Sequence, residues 1–271
     1  MVGGVSLTRN SLKLDLSTED LNWIDVTDGI SGTVSCIEFS TDGNHMFVGT
    51  GHSSGGSVYR LSGLNDVYTT ADAANLSFVN LNVSGGSVTG IAVDPNNPDN
   101  VVVTSGNYGQ SNFVWRSTNA TTANSNAFTS IQGNLPPMPC FDAVIMVDRP
   151  GYCVVGTDMG VWATEDVYAS SVVWTDENGS MAHTPVFAVR QQSLPYGASQ
   201  HNRGQIYLGT HGRGMWESTA GTGIGEFSDG SFNNKELISD LKVYPNPMTT
   251  NGALTFELAE NSAATIQIFD M

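Results

Sequence analysis

Positive charge is scarce in this chain: Lys and Arg number 10 against 26 Asp and Glu, a formal charge of −16. Such a surface repels phosphate backbones and offers no counterion release, which excludes nucleic acid as a partner. The same electrostatics argue against anionic membranes as partners. Charge of either sign is thin, at 13% of residues, while 39% are apolar. That is enough apolar surface for a core and too little charge for a solvated, disordered chain. No apolar run approaches the ~18 residues of a membrane helix, so the chain is not expected to be transmembrane. Met1 to Val5 has neither a basic stretch nor an apolar segment, and so is no signal peptide.

Cysteine is nearly absent. Cys36, Cys140 and Cys153 show no C-x-x-C spacing and no clustered histidine, which argues against zinc. If Asp148 to Gly151 turns a hairpin, Cys153 faces Met146, six residues from Cys140. At ~3.3 Å per residue that is roughly 20 Å, beyond disulfide reach. All three are expected to be reduced thiols acting as small hydrophobes.

What is present is a repeat. Alternating apolar runs occur at Val34 to Phe39, Val88 to Val93, Phe141 to Val147 and Val186 to Arg190. Each is followed by a second run: Met46 to Thr50, Val101 to Ser105, Cys153 to Thr157 and Ile206 to Thr210. The equivalent positions Gly49, Ser105, Gly156 and Gly209 are 56, 51 and 53 residues apart. A third element carries Tyr59, Trp115, Trp162 or Trp216, and a fourth is centred on Trp23, Phe78, Phe128 or Trp174. Four short strands per unit, with turn residues between them, describe a β-propeller blade. A β-sandwich needs no such register of four matched elements. The aromatics are expected to pack between blades.

Gly3 to Arg9 looks like a third strand and Leu21 to Val26 like a fourth, while the unit Val186 to Ser218 lacks its fourth. The expected fold is therefore all-β: four blades plus a partial one, a fragment of a larger propeller. A four-bladed ring closed by Leu21 to Val26 would leave Gly3 to Arg9 unexplained.

The units Val155 to Asp166 and Gly209 to Ser218 resemble BNR/Asp-box repeats, found in sialidases, sortilin-type propellers and xyloglucanase-type enzymes. Degraded boxes stand at Ser17 to Trp23, Ser117-Thr118-Asn119, and Thr164-Glu165-Asp166 with Trp174. The resemblance spans about residues 1–218 and implies a fold more than an activity. Box carboxylates sit between third and fourth strands, where they cap backbone N–H groups in a tight turn.

Loops joining second to third strands, and fourth to first, emerge on one face around the central channel, where binding residues collect. From Gly49 to Tyr59 and from Ser105 to Trp115 is ten residues, against six from Gly156 to Trp162 and seven from Gly209 to Trp216. The longer loops are rich in Asn, Ser, Gly and Tyr, which suits stacking and hydrogen bonding to a sugar or peptide. Ligand-binding candidates are His52, Asn107, Tyr108, Gln110, His211 and Arg213; the last pair also reads as a turn signature of the repeat. A glycosidase wants two carboxylates facing each other across a sugar, and Asp28, Asp142 and Asp158 are the acids placed for it. Sialidase chemistry wants an arginine cluster and a Tyr–Glu pair, and Arg213 alone does not supply it.

Past Ser218 the composition changes. Residues 219–240 are rich in Gly, Ser, Asn and acids, as a flexible linker is. Residues 241–271 carry two alternating runs, Ala253 to Leu258 and Ala264 to Asp270, the start of a small Ig-like β-sandwich. The sequence Tyr244-Pro245-Asn246-Pro247 followed by those strands resembles the C-terminal sorting domain of type IX secretion cargo. That resemblance implies a partnership with the type IX secretion machinery and a secreted or cell-surface destination, with a signal peptide upstream of this chain.

Two functions are consistent with these features. One is a binding module for a glycan or protein ligand. The other is an endo-acting glycoside hydrolase of the xyloglucanase type, with this chain as one wall of the cleft. No cofactor is expected: the acidity suits calcium, but no ligand loop of recognised spacing occurs.

Overall fold

A computed structural model describes residues 4–12, 22–51, 55–194, 202–218, 238–244 and 253–258. The chain separates into two units, 1–223 and 224–271.

The first unit is a series of antiparallel meanders. A leading pair joins β1 (Ser6–Leu7) to β2 (Ile24–Asp25). The first sheet runs β3 (Thr33–Phe39), β4 (His45–Gly51), β5 (Ser57–Ser62), β6 (Ser77–Asn80). A second follows with β7 (Val88–Val93), β8 (Val101–Ser105), β9 (Val114–Ser117) and β10 (Thr129–Ser130). The third has β11 (Cys140–Ile145), β12 (Cys153–Thr157), β13 (Gly160–Thr164) and β14 (Thr175–Asp176). In the fourth only β15 (Val186–Gln191), β16 (Ile206–Thr210) and β17 (Met215–Ser218) are described. The opening strands lie side by side in sequence, β3 with β7, β7 with β11 and β11 with β15.

Stacked sheets bury their middle strands on both faces, and the sequence shows it. Every residue of β8 and β12 is buried, which is why Val101-Val102-Val103 and Cys153-Val154-Val155 read as continuous apolar runs. Tyr59, Trp115 and Trp174 are buried between sheets as expected, and Trp174 donates its indole N–H to the Ile131 carbonyl at 2.9 Å, whereas Trp23 and Trp216 are exposed against expectation.

Each opening strand carries a β-bulge at the same place, between Val34 and Cys36, Val88 and Gly90, Cys140 and Asp142, and Val186 and Ala188. A bulge re-aims the extra residue. Here that residue reaches the next sheet. The Ser35 hydroxyl donates to the Val88 carbonyl at 2.6 Å, and Thr89 donates to Cys140 at 2.6 Å. At the third step the ring of Phe141 meets Phe187 edge-on, 4.7 Å between centroids.

Arginines clip the opposite end. Arg60 donates through Nη1 to the carbonyls of Ala120 and Ala123 at 2.8 and 2.9 Å. Arg116 does the same to Val167 and Ala169 at 2.6 and 2.9 Å. Arg9 reaches Val67 at 3.0 Å and Leu64, the corresponding carbonyls of the first sheet. Each guanidinium thus satisfies carbonyl groups in a loop of the following sheet that strand pairing leaves unused.

Two expectations need correction. β6 contains Phe78 as expected, but the other fourth strands do not centre on their aromatics and begin after them: Ile24 follows Trp23, Thr129 follows Phe128 and Thr175 follows Trp174. Trp174 is buried in the gap between sheets before pairing starts. Cys153 faces Ile145 rather than Met146, because Met146 N–H bonds the Tyr152 carbonyl at 2.9 Å across the turn. All three cysteines are free thiols. Burial pushes the Cys36 thiol up to about 11, against smaller opposing bonds from Ser35 and the Gly49 backbone.

In the second unit β18 (Ile238–Tyr244) pairs antiparallel with β19 (Ala253–Leu258), setting Tyr244 opposite Ala253. Pro245, Asn246, Pro247 and the expected strand Ala264 to Asp270 lie outside the described residues, as do 219–237 of the expected linker.

Candidate functional site

The face expected to carry loops is built by a recurring backbone bond. Gly106 N–H bonds the Ser87 carbonyl at 2.9 Å, Asp158 N–H bonds Pro139 at 3.0 Å and His211 N–H bonds Pro185 at 2.8 Å. In each case a second-to-third loop is tied to the segment entering the same sheet. This holds otherwise free loops on a fixed frame.

Within that frame the loop between β8 and β9 stands out into solvent. Asn107 at φ 69° and Gly109 at φ 88° both adopt the left-handed conformation, which Asn and Gly tolerate best. They reverse the chain on either side of Tyr108, a residue that is 71% exposed. The Tyr108 hydroxyl donates to the carboxylate of Asp158, in the loop between β12 and β13. That bond raises the Tyr108 pKa, because it holds the phenol in its protonated form beside a carboxylate. Asn107 approaches the Ser87 hydroxyl at 3.5 Å, and Gln110 is exposed in the same loop.

A second group sits at the fourth sheet. The half-exposed Phe187 meets His211 edge-on at 5.7 Å, extending the Phe141–Phe187 contact toward the rim. Thr184 donates to the His211 carbonyl at 3.0 Å. Arg213 is exposed, and its carbonyl accepts the indole N–H of Trp216 at 3.1 Å. His52 lies outside the described residues. A polar cavity of about 460 Å³ is lined by Ser31, Thr50, Gly55, Tyr59 and Gly85.

The three candidate acids go to different places. Asp158 is engaged by Tyr108. Asp142 is not on a loop but on β11, where Oδ2 accepts the Val189 N–H at 2.8 Å and the Arg190 guanidinium, and Oδ1 accepts the Ala143 N–H at 3.0 Å. Burial raises its pKa, opposed by the Val189 N–H and then by the charge of Arg190. Asp142 therefore ties the third sheet to the fourth. Asp28 is exposed on the turn before β3.

Box-like segments behave as caps: Asn119 N–H bonds the Ser117 hydroxyl at 3.3 Å and Tyr168 N–H bonds Asp166 at 2.8 Å. Ser17 to Leu21 lie outside the described residues.

Sequence reasoning missed two features. His183 and Asp176 approach to 2.9 Å on the loop-bearing end of the third sheet, across a turn whose spacing signals nothing. The opening strands also line a cavity of about 400 Å³ that holds Glu38, Asp142 and Arg190. Among the described residues no group of three His, Cys, Asp or Glu is placed to hold a metal ion, and no helix is long and apolar enough to cross a membrane.

No protein-family model and no curated protein matches this chain. Solved structures do. Sqt1 from Chaetomium thermophilum aligns at TM-score 0.52 and 13% identity, over 77% of this chain and 49% of its own. The GH74 xyloglucanase from Xanthomonas campestris aligns at TM-score 0.49 and 14% identity, over 73% and 32%. The β-propeller domain of Cps50 (Swd1) from Myceliophteria thermophila aligns at TM-score 0.44 and 11% identity, over 67% and 50%. The chain spans half or less of the length of these structures. With its successive four-stranded meanders, the chain is similar to β-propellers in fold, and at these identities the likeness extends to fold alone.

Proposed function

We propose that residues 1–218 form a propeller module that binds a glycan or protein ligand on its loop-bearing face, and that the chain is a secreted or cell-surface protein delivered by type IX secretion. The observation that carries the binding reading is the Tyr108–Asp158 bond, which fixes an exposed aromatic ring and a carboxylate from neighbouring sheets in one place. A ring for stacking, with amides of Asn107 and Gln110 beside it, is the chemistry of a polar ligand with apolar faces. Pre-organisation of this kind lowers the ordering cost of binding. The export reading rests on the resemblance around Tyr244 to Pro247. The module needs no cofactor for this role.

The test is a screen of the purified chain against plant and microbial polysaccharides, including xyloglucan, and against extended peptides. Saturable binding that Tyr108→Ala abolishes supports the module. Release of oligosaccharides that requires two of Asp28, Asp142 and Asp158 overturns it in favour of a hydrolase. Surface labelling of cells expressing the gene tests the destination, and retention of all product in the cytoplasm overturns it.

A further inference from the structure

The cavity between the opening strands adjoins the loop-bearing face at Phe187 but has its own chemistry. Glu38 on β3 and Arg190 on β15 occupy the same place in the repeat, each two residues beyond the bulge, where Cys36 faces Gly49 and Ala188 faces Gly209. The two intervening strands put Ala92 and Val144 at this level. A single apolar belt thus carries one acid and one base at its two ends.

The base is already used. Arg190 Nη1 donates to Asp142 and to the Val189 carbonyl at 2.8 Å. Glu38 has no cation within 4.0 Å among the described residues; its carboxylate is met by the Phe39 N–H. Two carboxylates against one guanidinium leave the cavity one negative charge in excess. Glu38 and the Arg190 side chain are open to solvent, so that charge acts at an accessible, concave surface. The aromatic rings of Phe39, Phe141 and Phe187 line the same cavity, and Phe39 and Phe187 keep 43% and 49% of their surface exposed. A ring face attracts a cation, and more strongly once it is desolvated.

We infer that this cavity is a binding site for an organic cation, an ammonium or guanidinium group, paired with Glu38, the walls also carrying the rings of Phe39, Phe141 and Phe187. An anion fits worse, because Asp142 already neutralises Arg190 and Glu38 repels it. A metal ion fits worse too, because the walls offer rings rather than a third ligand. Desolvation by the surrounding walls raises the Glu38 pKa, an effect that the charge of Arg190 opposes and Asp142 reinforces. This site does not rest on the Tyr108 loop, so its failure leaves the module reading standing.

Calorimetric titration of the full chain at low salt tests it, with acetyl-Gly-Arg-Gly-amide, acetyl-Gly-Lys-Gly-amide, n-butylammonium chloride and the neutral acetyl-Gly-norleucine-Gly-amide as probes. Saturable binding of a cationic probe, about tenfold weaker in Glu38→Gln and about threefold weaker in Phe39→Leu, is the expected result. Peptides binding well above butylammonium identify a polypeptide side chain as the natural occupant, and equal binding identifies a small amine. No saturable binding, equal binding of the norleucine peptide, or unchanged affinity in both variants overturns the site.

Discussion

The hydroxyl of Tyr108 and the carboxylate of Asp158, 50 residues apart in sequence, meet across the gap between the second and third sheets. Both lie on loops near solvent, so the bond orders the rim and adds little to folding. Tyr108→Phe and Asp158→Asn are expected to leave the melting temperature unchanged while weakening ligand capture on the polysaccharide and peptide screen. Tyr108→Ala, which also removes the ring, should weaken it more. A large drop in melting temperature for the phenylalanine variant would make the bond a structural one.

The repeat glycines differ in what surrounds them. A Cβ on Gly49 would lie 2.4 Å from Cys36 Sγ and 2.6 Å from Val88 Cγ1, whereas one on Gly209 meets Ala188 at ordinary contact distances, 3.4 Å from Cβ and 4.0 Å from N. Gly49→Ala is expected to destabilise by about 2 kcal/mol or more through overpacking, and Gly209→Ala to stay within about 0.5 kcal/mol. Urea denaturation of the two variants checks the contrast.

The Asp142–Arg190 pair is lopsided. The acid side chain is 7% exposed and the base 71%. Removing the acid orphans the Val189 N–H, while removing the base leaves a carboxylate that still holds two backbone N–H groups. Asp142→Ala should cost about 2–3 kcal/mol and Arg190→Ala well under half of that, as a solvated partner contributes little. Equal losses by chemical denaturation would contradict the assignment of Asp142 as the tie between sheets.

Arg60, at 5% exposure, bonds two carbonyls of the next sheet through one nitrogen. Arg60→Ala is expected to destabilise by about 2–4 kcal/mol, since it loses charge-assisted bonds and strands buried acceptors. Arg60→Lys should recover only part of the loss: an ammonium can also donate to two carbonyls, but its flexible stem is less pre-organised than a guanidinium. Because Arg116 clips a different pair of sheets, the two alanine substitutions should add.

Glu38 makes stability depend on pH. Its pKa is raised above the ordinary 4.5, so the folded state holds its proton more tightly than the unfolded chain does. The contribution is fully present below 4.5 and is lost as pH rises through the folded value. Lowering the pH from about 7 to about 5 should therefore raise the melting temperature more in the parent chain than in Glu38→Gln. An identical rise in both would place the titration elsewhere.

Much of the strand layout is local in origin and was readable. Val88–Val93, Val101–Ser105, Cys153–Thr157 and Ile206–Thr210 form strands with the bounds their apolar runs indicate. β-branched residues between turn formers leave the backbone few alternatives. Tyr108, Asn107 and Gln110 were likewise visible as an overlong loop, since loop length and composition are properties of the chain alone.

What the sequence alone determined, then, is the repeat, its strands and the place where loops lengthen. Tertiary structure decided the rest. Asp142 reads as a rim acid in sequence and becomes a tie because the packing of β11 against β15 sets it against Val189, 47 residues away. Glu38 and Arg190 carry no motif at all; only stacking of the opening strands brings them to one cavity. Local patterns fix what depends on a residue's near neighbours along the chain. Charge pairing and cavities depend on neighbours one or more repeats distant, and those are set by how the sheets pack.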